Sequence, residues 1–188
     1  MGSILGFRGF YDSFSDAGDY SDSDHLRIVI GSPNIHDGVI TGSGTIMYTP
    51  GLSQGDTELV VVYKNVPQGF GGPDRFFLFF RCNDTSLTNG FPNSGIVFEF
   101  GFNVTNIISY LNGSPLISQA LVGDAAAFPF TSGSLRLKAT ASTITLIVDD
   151  DTNGHAEGQV DFGGNSSKVY AGLRVSSDVI LIDAVGAE

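Results

Sequence analysis

The chain has 188 residues, 41% of them hydrophobic, which suits one globular domain with a real core and excludes a disordered chain. Nine Lys and Arg stand against 20 Asp and Glu, a net charge of −11. That leaves too few clustered cations to grip a nucleic-acid backbone or an anionic membrane surface.

Residues 1–25 read as an N-terminal arm. Ile4, Leu5, Phe7, Phe10 and Tyr11 are too apolar to be left in water and predict an attachment segment. Asp12 to Asp24 follows as an acidic, Ser-rich loop. Met1 to Phe10 is too short and Gly-broken for a signal h-region. No apolar run approaches the roughly 20 residues that span a bilayer, so membrane insertion is not expected. Folding in the cytoplasm is the default expectation, since Cys82 stands alone and a disulfide-stapled domain is excluded. Cys82 lies in an apolar run and reads as a small buried hydrophobe.

From residue 26 to 188 the chain reads as one sandwich domain. β-Branched and aromatic runs are separated by Gly, Asn, Asp and Pro clusters, and no window holds an apolar helical stripe between caps. Strands are predicted over Leu26–Ile30, Val39–Ile40, Thr45–Tyr48 and Thr57–Lys64. Alternation in the last puts Leu59, Val61 and Tyr63 on one face. Arg75–Asn83 is apolar on both faces, which predicts a central strand. Gly95–Phe102, Ile107–Leu111 and Pro115–Ser118 follow, with Asn112-Gly113 as a hairpin signal between the last two. Gly123 and Pro129 confine a helix over Ala120–Phe128 to a turn or two. Leu135–Ala139, Thr143–Asp149, Glu157–Phe162, Val169–Val175 and Val179–Val185 complete the set. Turns about every ten residues predict an all-β, two-sheet antiparallel sandwich.

Asp149 to Gly154 reads DDDTNG. Asp149, Asp151 and Asn153 stand at alternate positions before a Gly, as in the first half of a calcium loop. The twelfth position is Val160 where such a loop carries a bidentate Glu, and a polar hairpin turn explains the same residues. Calcium at this turn is the one candidate cofactor. Asp16, Asp19, Asp22 and Asp24 read as a solvated loop. Glycoside hydrolysis needs two carboxyls facing one cleft, and Glu99, the best candidate acid, has Val97 and Gly101 as its same-face neighbours. Its simplest reading is a solvent-side residue or the partner of an Arg. His25, His36 and His155 lack metal-ligand spacing. No catalytic residue is assigned. Among turn aromatics, Phe70 and Phe91 are the ones expected to be exposed, and with Asn93 they are the candidate glycan contacts.

The C-terminal third carries a resemblance. It reads SLRLKATASTITLIVDD, then a turn, then KVYAGLRVSSDVILIDAVGAE; Tyr170-Ala171-Gly172-Leu173-Arg174 and Ile182-Asp183 form its ending. Asp12-Ser13-Phe14 and Asp37-Gly38-Val39-Ile40 fit the opening of the same pattern. The chain resembles concanavalin A-like, laminin-G-type jelly-roll domains, and more narrowly the modules of minor tail proteins of phages infecting actinobacteria. The resemblance implies a jelly roll of two antiparallel sheets with neighbouring chain ends. Its members include lectins, adhesive modules, glycosidases and virion parts, so fold does not settle function. The expected function is a non-enzymatic virion structural or adhesion protein. It would be a homo-oligomer, a trimer being favoured, with other virion proteins and a cell-surface glycan as partners. The alternative is a stand-alone carbohydrate-binding module, calcium-assisted or not. A glycosidase or lyase comes third.

Overall fold

A computed structural model describes residues 10–12, 14, 27–36, 39–49, 52, 57–67, 74–101, 104–111, 114–140, 142–161 and 170–187. The strands among them are β1 Phe10–Asp12, β2 Arg27–Gly31, β3 Asn34–His36, β4 Val39–Tyr48, β5 Thr57–Lys64, β6 Phe76–Cys82, β7 Leu87–Thr88, β8 Phe91–Pro92, β9 Ser94–Gly101, β10 Val104–Leu111, β11 Ser114–Gln119, β12 Val122–Gly123, β13 Gly133–Ala139, β14 Thr143–Asp150, β15 Gly154–Asp161 and β16 Tyr170–Ala187. A short 3-10 turn at Asp124–Ala127 takes the place of the helix candidate.

The sheet divides into two leaves at β16. The first half of β16 lies between β6 and β4, giving a leaf ordered β11-β10-β9-β6-β16-β4-β2. Its second half pairs with β5 and continues as β16-β5-β13-β14-β15-β12. All described pairings are antiparallel. The sequence splits this region into two strands because Ser176-Ser177-Asp178 looks like a turn. It is a bulge instead: β16 advances from Ser177 to Ile182 while β4 advances only from Gly42 to Ile40. Thr41 Oγ1 donates to the Asp178 carbonyl (2.9 Å) and Ser177 Oγ to Asp74 Oδ1 (2.6 Å), so the polar side chains fasten the bend.

Alternation decides what each leaf buries. In β5, Thr57, Leu59, Val61 and Tyr63 point inward as the period of two requires. In β6, Phe76, Leu78 and Phe80 enter the same core. Ring contacts tie the leaves together across it: Tyr63 stacks on Phe76 (5.6 Å), Phe76 on Phe100 (5.1 Å), and Phe100 meets Phe130 edge-on (5.2 Å). Each such buried side chain contributes roughly 1.5–3 kcal/mol of apolar burial, which lets Phe carry a core that contains no Trp. An extra residue in β6 near Arg81 (φ 52°) turns Cys82 to the outer face, where it is buried with Met47, Phe79 and Val97. β6 is thus covered on both faces, as its composition predicts.

The division at residue 25 does not match where the sheet begins. Phe10 and Tyr11 are paired with Ala187 and Gly186, and Phe14 is fully buried in the core. The backbone of Phe10–Asp12 therefore belongs to the sandwich, because β16 would otherwise leave a row of unpaired edge groups there. Ile4, Leu5 and Phe7 lie outside the described residues.

Candidate ligand-binding surface

The β14–β15 hairpin is built around a residue that the calcium-loop pattern passes over. Ile144, Leu146 and Val148 face inward, and the same alternation carries Asp150 to the buried face. Its carboxylate is saturated. Oδ1 accepts from Thr131 Oγ1 (2.6 Å) and from the backbone N–H groups of Asn153 (2.9 Å) and Thr152 (3.0 Å). Oδ2 accepts from the Thr131 and Ser132 N–H groups (2.7 and 3.1 Å) and from the Tyr63 hydroxyl (3.0 Å). Burial pushes this carboxyl's pKa up, but the bonds from Thr131, Asn153 and Thr152 outweigh it and hold the value at about 2. Burial first, and then the Asp150 charge, push the Tyr63 phenol well above its ordinary value.

This arrangement explains the turn. Asn153 Nδ2 donates to the Pro129 carbonyl (2.8 Å) and back to Asp150 Oδ1 (3.0 Å), and Gly154 supplies φ +86°. Asp149 points to the outer face, where its Oδ1 meets His155 Nδ1 at 2.8 Å. Asn153 and Asp149 thus engage different partners, the Pro129 carbonyl and His155. Among the described residues, no group of three or more His, Cys, Asp or Glu side chains is arranged to hold a metal ion.

The outer face of the second leaf is open and polar. One shallow pocket in it is lined by Val62, Tyr63, Lys64, Gly133, Ser134, Asp149 and Asp151. Register builds it: Ser134 stands opposite Val62 on one side and Asp149 on the other. Lys64 is paired with Asp183, and Glu58 with Arg136 (2.9 Å) and Lys138 (3.7 Å). His155 lies between Asp149 and Glu157 (Nε2 to Oε1 3.1 Å); its hydrogen bonds to both carboxylates raise its pKa. The pocket thus gathers Lys64, whose ammonium is paired with Asp183, Ser134, Asp149, which also meets His155, and Asp151 around Val62, on neighbouring strands and their closing turn.

The other sequence candidates fall elsewhere. Phe70 lies outside the described residues. Phe91 and Asn93 belong to a small hairpin over the outer face of the first leaf, away from the pocket-lining set. The Phe91 ring meets Phe77 edge-on (5.4 Å), and the Arg174 guanidinium lies 4.9 Å above it. The Asn93 side-chain oxygen accepts from Thr88 Oγ1 (2.7 Å). Glu99 is half-buried, ion-paired with Arg75, and accepts from Asn106 Nδ2 (2.7 Å), so it is the partner of an Arg.

No protein-family model matches the chain, and no curated protein matches it. Solved structures do. A galactose complex of the lectin UEA-II matches with a TM-score of 0.65 at 8% identity, over 96% of this chain and 98% of that one. The VIP36 exoplasmic/lumenal domain in its Ca2+/Man3GlcNAc-bound form matches with a TM-score of 0.61 at 14% identity, over 89% of each chain. Metal-free lectin I-B4 from Griffonia simplicifolia matches with a TM-score of 0.60 at 12% identity, over 96% and 98%. The chain has the concanavalin A-like jelly-roll fold. These likenesses bear on the jelly roll alone, and the phage tail-module likeness still rests on the C-terminal sequence motif.

Three residues that build this surface, Asp150 beneath it and Lys64 and Ser134 in the pocket lining, lie outside the sequence candidates. Asp150 was legible as an acid on the buried phase of β14. Lys64 and Ser134 reach the pocket through pairing between β5 and β13, for which one-dimensional pattern carries no signal.

Proposed function

We propose that the chain is a non-catalytic carbohydrate-binding module whose ligand sits in the outer-face pocket of Val62, Lys64, Ser134, Asp149 and Asp151. The observation that carries this reading is the gathering of Lys64, Ser134, Asp149 and Asp151 around Val62 on neighbouring strands and their closing turn. Sugar hydroxyls both donate and accept, so they are matched by carboxylates, a hydroxyl and an ammonium held together over a small apolar patch. The lectin fold of the structural neighbours supports the same reading, as analogy. Binding without hydrolysis is supported by Glu99, whose carboxylate is engaged by Arg75 and Asn106.

The test is a glycan array probed with the wild type and with Asp149→Asn/Asp151→Asn, with and without calcium. A defined glycan set bound by the wild type and lost in the double variant is the expected result. Wild-type binding that the double variant retains would move the site elsewhere. No binding to any glycan, under either condition, would overturn the reading.

A further inference from the structure

Strands β7 and β8 form a two-stranded sheet of their own, with no described ladder to the rest of the sandwich. A two-stranded hairpin alone is marginal in water, so its position depends on what it rests against. It rests on the outer face of the first leaf. There Leu87 and Phe91 pack, with Phe77 and Tyr170, against the buried cluster of Met47, Phe79, Cys82 and Val97.

The hairpin is braced within itself. The Asn93 N–H donates to the Ser86 carbonyl (3.1 Å), Thr88 Oγ1 to Asn93 Oδ1 (2.7 Å), and the Ser86 N–H to Asp84 Oδ1 (2.9 Å). Its tip turns on Asn89 and Gly90, both at positive φ (54° and 79°). Two side chains from the leaf beneath hold that tip by its carbonyls: Thr45 Oγ1 donates to Gly90 (3.1 Å) and Arg174 Nη1 to Asn89 (3.0 Å). The Arg174 guanidinium also covers the Phe91 ring. Internal bracing with a few pins to the body describes a segment that opens as one piece.

We propose that residues 86–93 are a strap, pinned by Arg174 and Thr45, that lifts as a unit and uncovers the outer-face cluster while both leaves stay folded. Cys82, fully buried in that cluster and free of any disulfide, reports the opening.

The experiment measures the rate at which an aromatic disulfide reagent modifies Cys82 in the native protein, across low urea concentrations. Wild-type labelling should be slow and nearly independent of urea, because a small opening exposes little surface. Arg174→Ala removes a hydrogen bond and a cation–π contact, and labelling should rise about tenfold or more. Thr45→Val should give a smaller rise in the same direction. Exchange of the Asn93 amide hydrogen, bonded to Ser86 within the strap, and that of Leu146 in β14 should both stay unchanged, since the strap lifts as a unit and the leaves stay folded. Labelling that follows the urea slope of global unfolding overturns the proposal. So does an unchanged rate in Arg174→Ala, or faster exchange at Asn93 (a strap that unravels) or at Leu146 (a leaf that opens).

Discussion

The Tyr63 hydroxyl donates to Asp150 Oδ2 at 3.0 Å, and this bond ties the end of β5 to the end of β14 across the intervening β13. Both groups are buried, so neither has water to replace a lost partner. Asp150→Asn keeps the shape but strips the charge from an acceptor that receives several N–H and O–H donors. It should cost about 2–4 kcal/mol, against about 1 kcal/mol for Tyr63→Phe. Urea unfolding of both variants measures this; a Tyr63→Phe loss equal to that of Asp150→Asn would contradict the ranking.

Acid should expose the same group. The Asp150 carboxyl is held at about 2 in the fold, below its ordinary 3.8. A depressed carboxyl contributes stability that is present above the unfolded pKa and disappears as pH falls through the folded one. Roughly 2 kcal/mol should therefore vanish between about pH 4 and pH 2. Thermal denaturation across that window should show a shallower acid limb in Asp150→Asn than in the wild type.

His155 runs in the opposite direction. Its pKa is raised by hydrogen bonds to Asp149 and Glu157, so the stabilising clamp is complete below about pH 6.5 and is lost as pH rises through the folded value. In a proton NMR titration the His155 ring should titrate above the ordinary histidine value. Asp149→Asn and Glu157→Gln should each bring the midpoint back down, the former by more.

Gly154, in the β14–β15 turn, and Gly133, which pairs with Asp150 from β13, should respond unequally. A Cβ on Gly154 meets nothing within 4 Å, so Gly154→Ala carries only the strain of φ +86°, about 1 kcal/mol. A Cβ on Gly133 would overlap the carbonyl oxygen of Asp149, backbone that cannot swing away. Gly133→Ala should cost several times more, and comparing the two urea midpoints settles it.

Much of the fold was legible because one leaf face is buried and the pleat has a period of two. Leu59, Val61 and Tyr63 were placed together on one face from alternation alone, that face is the buried one, and β5 has the predicted bounds. Cys82 was read as buried from its apolar neighbours. What escaped depends on register and long-range pairing. The Asn89-Gly90 turn carries the same dipeptide signal as Asn112-Gly113, but the flanking strands are two residues each and too short to show alternation. The bulge after Ser177 looked like a strand end because Ser and Asp favour turns; only pairing with β4 on one side and β5 on the other reveals a continuous strand. At the candidate site, reading every second oxygen of DDDTNG selected Asp149 and Asp151. Both line the pocket, but the pattern missed the inward Asp150 that holds the turn in place.

Strand β16 takes part in both leaves and pairs with β1, β4, β5 and β6. During synthesis, neither leaf can be completed until residues 170–187 have left the ribosome. Until then β5 and β6 present unpaired edges and apolar faces with no neighbour between them, the kind of surface that chaperones hold. Closure by such a distant segment also predicts slow folding for a domain of this size. The Ser- and Asp-containing bend at the middle of β16 thus acts on timing as well as shape, since one late strand must dock twice before the sandwich can shut.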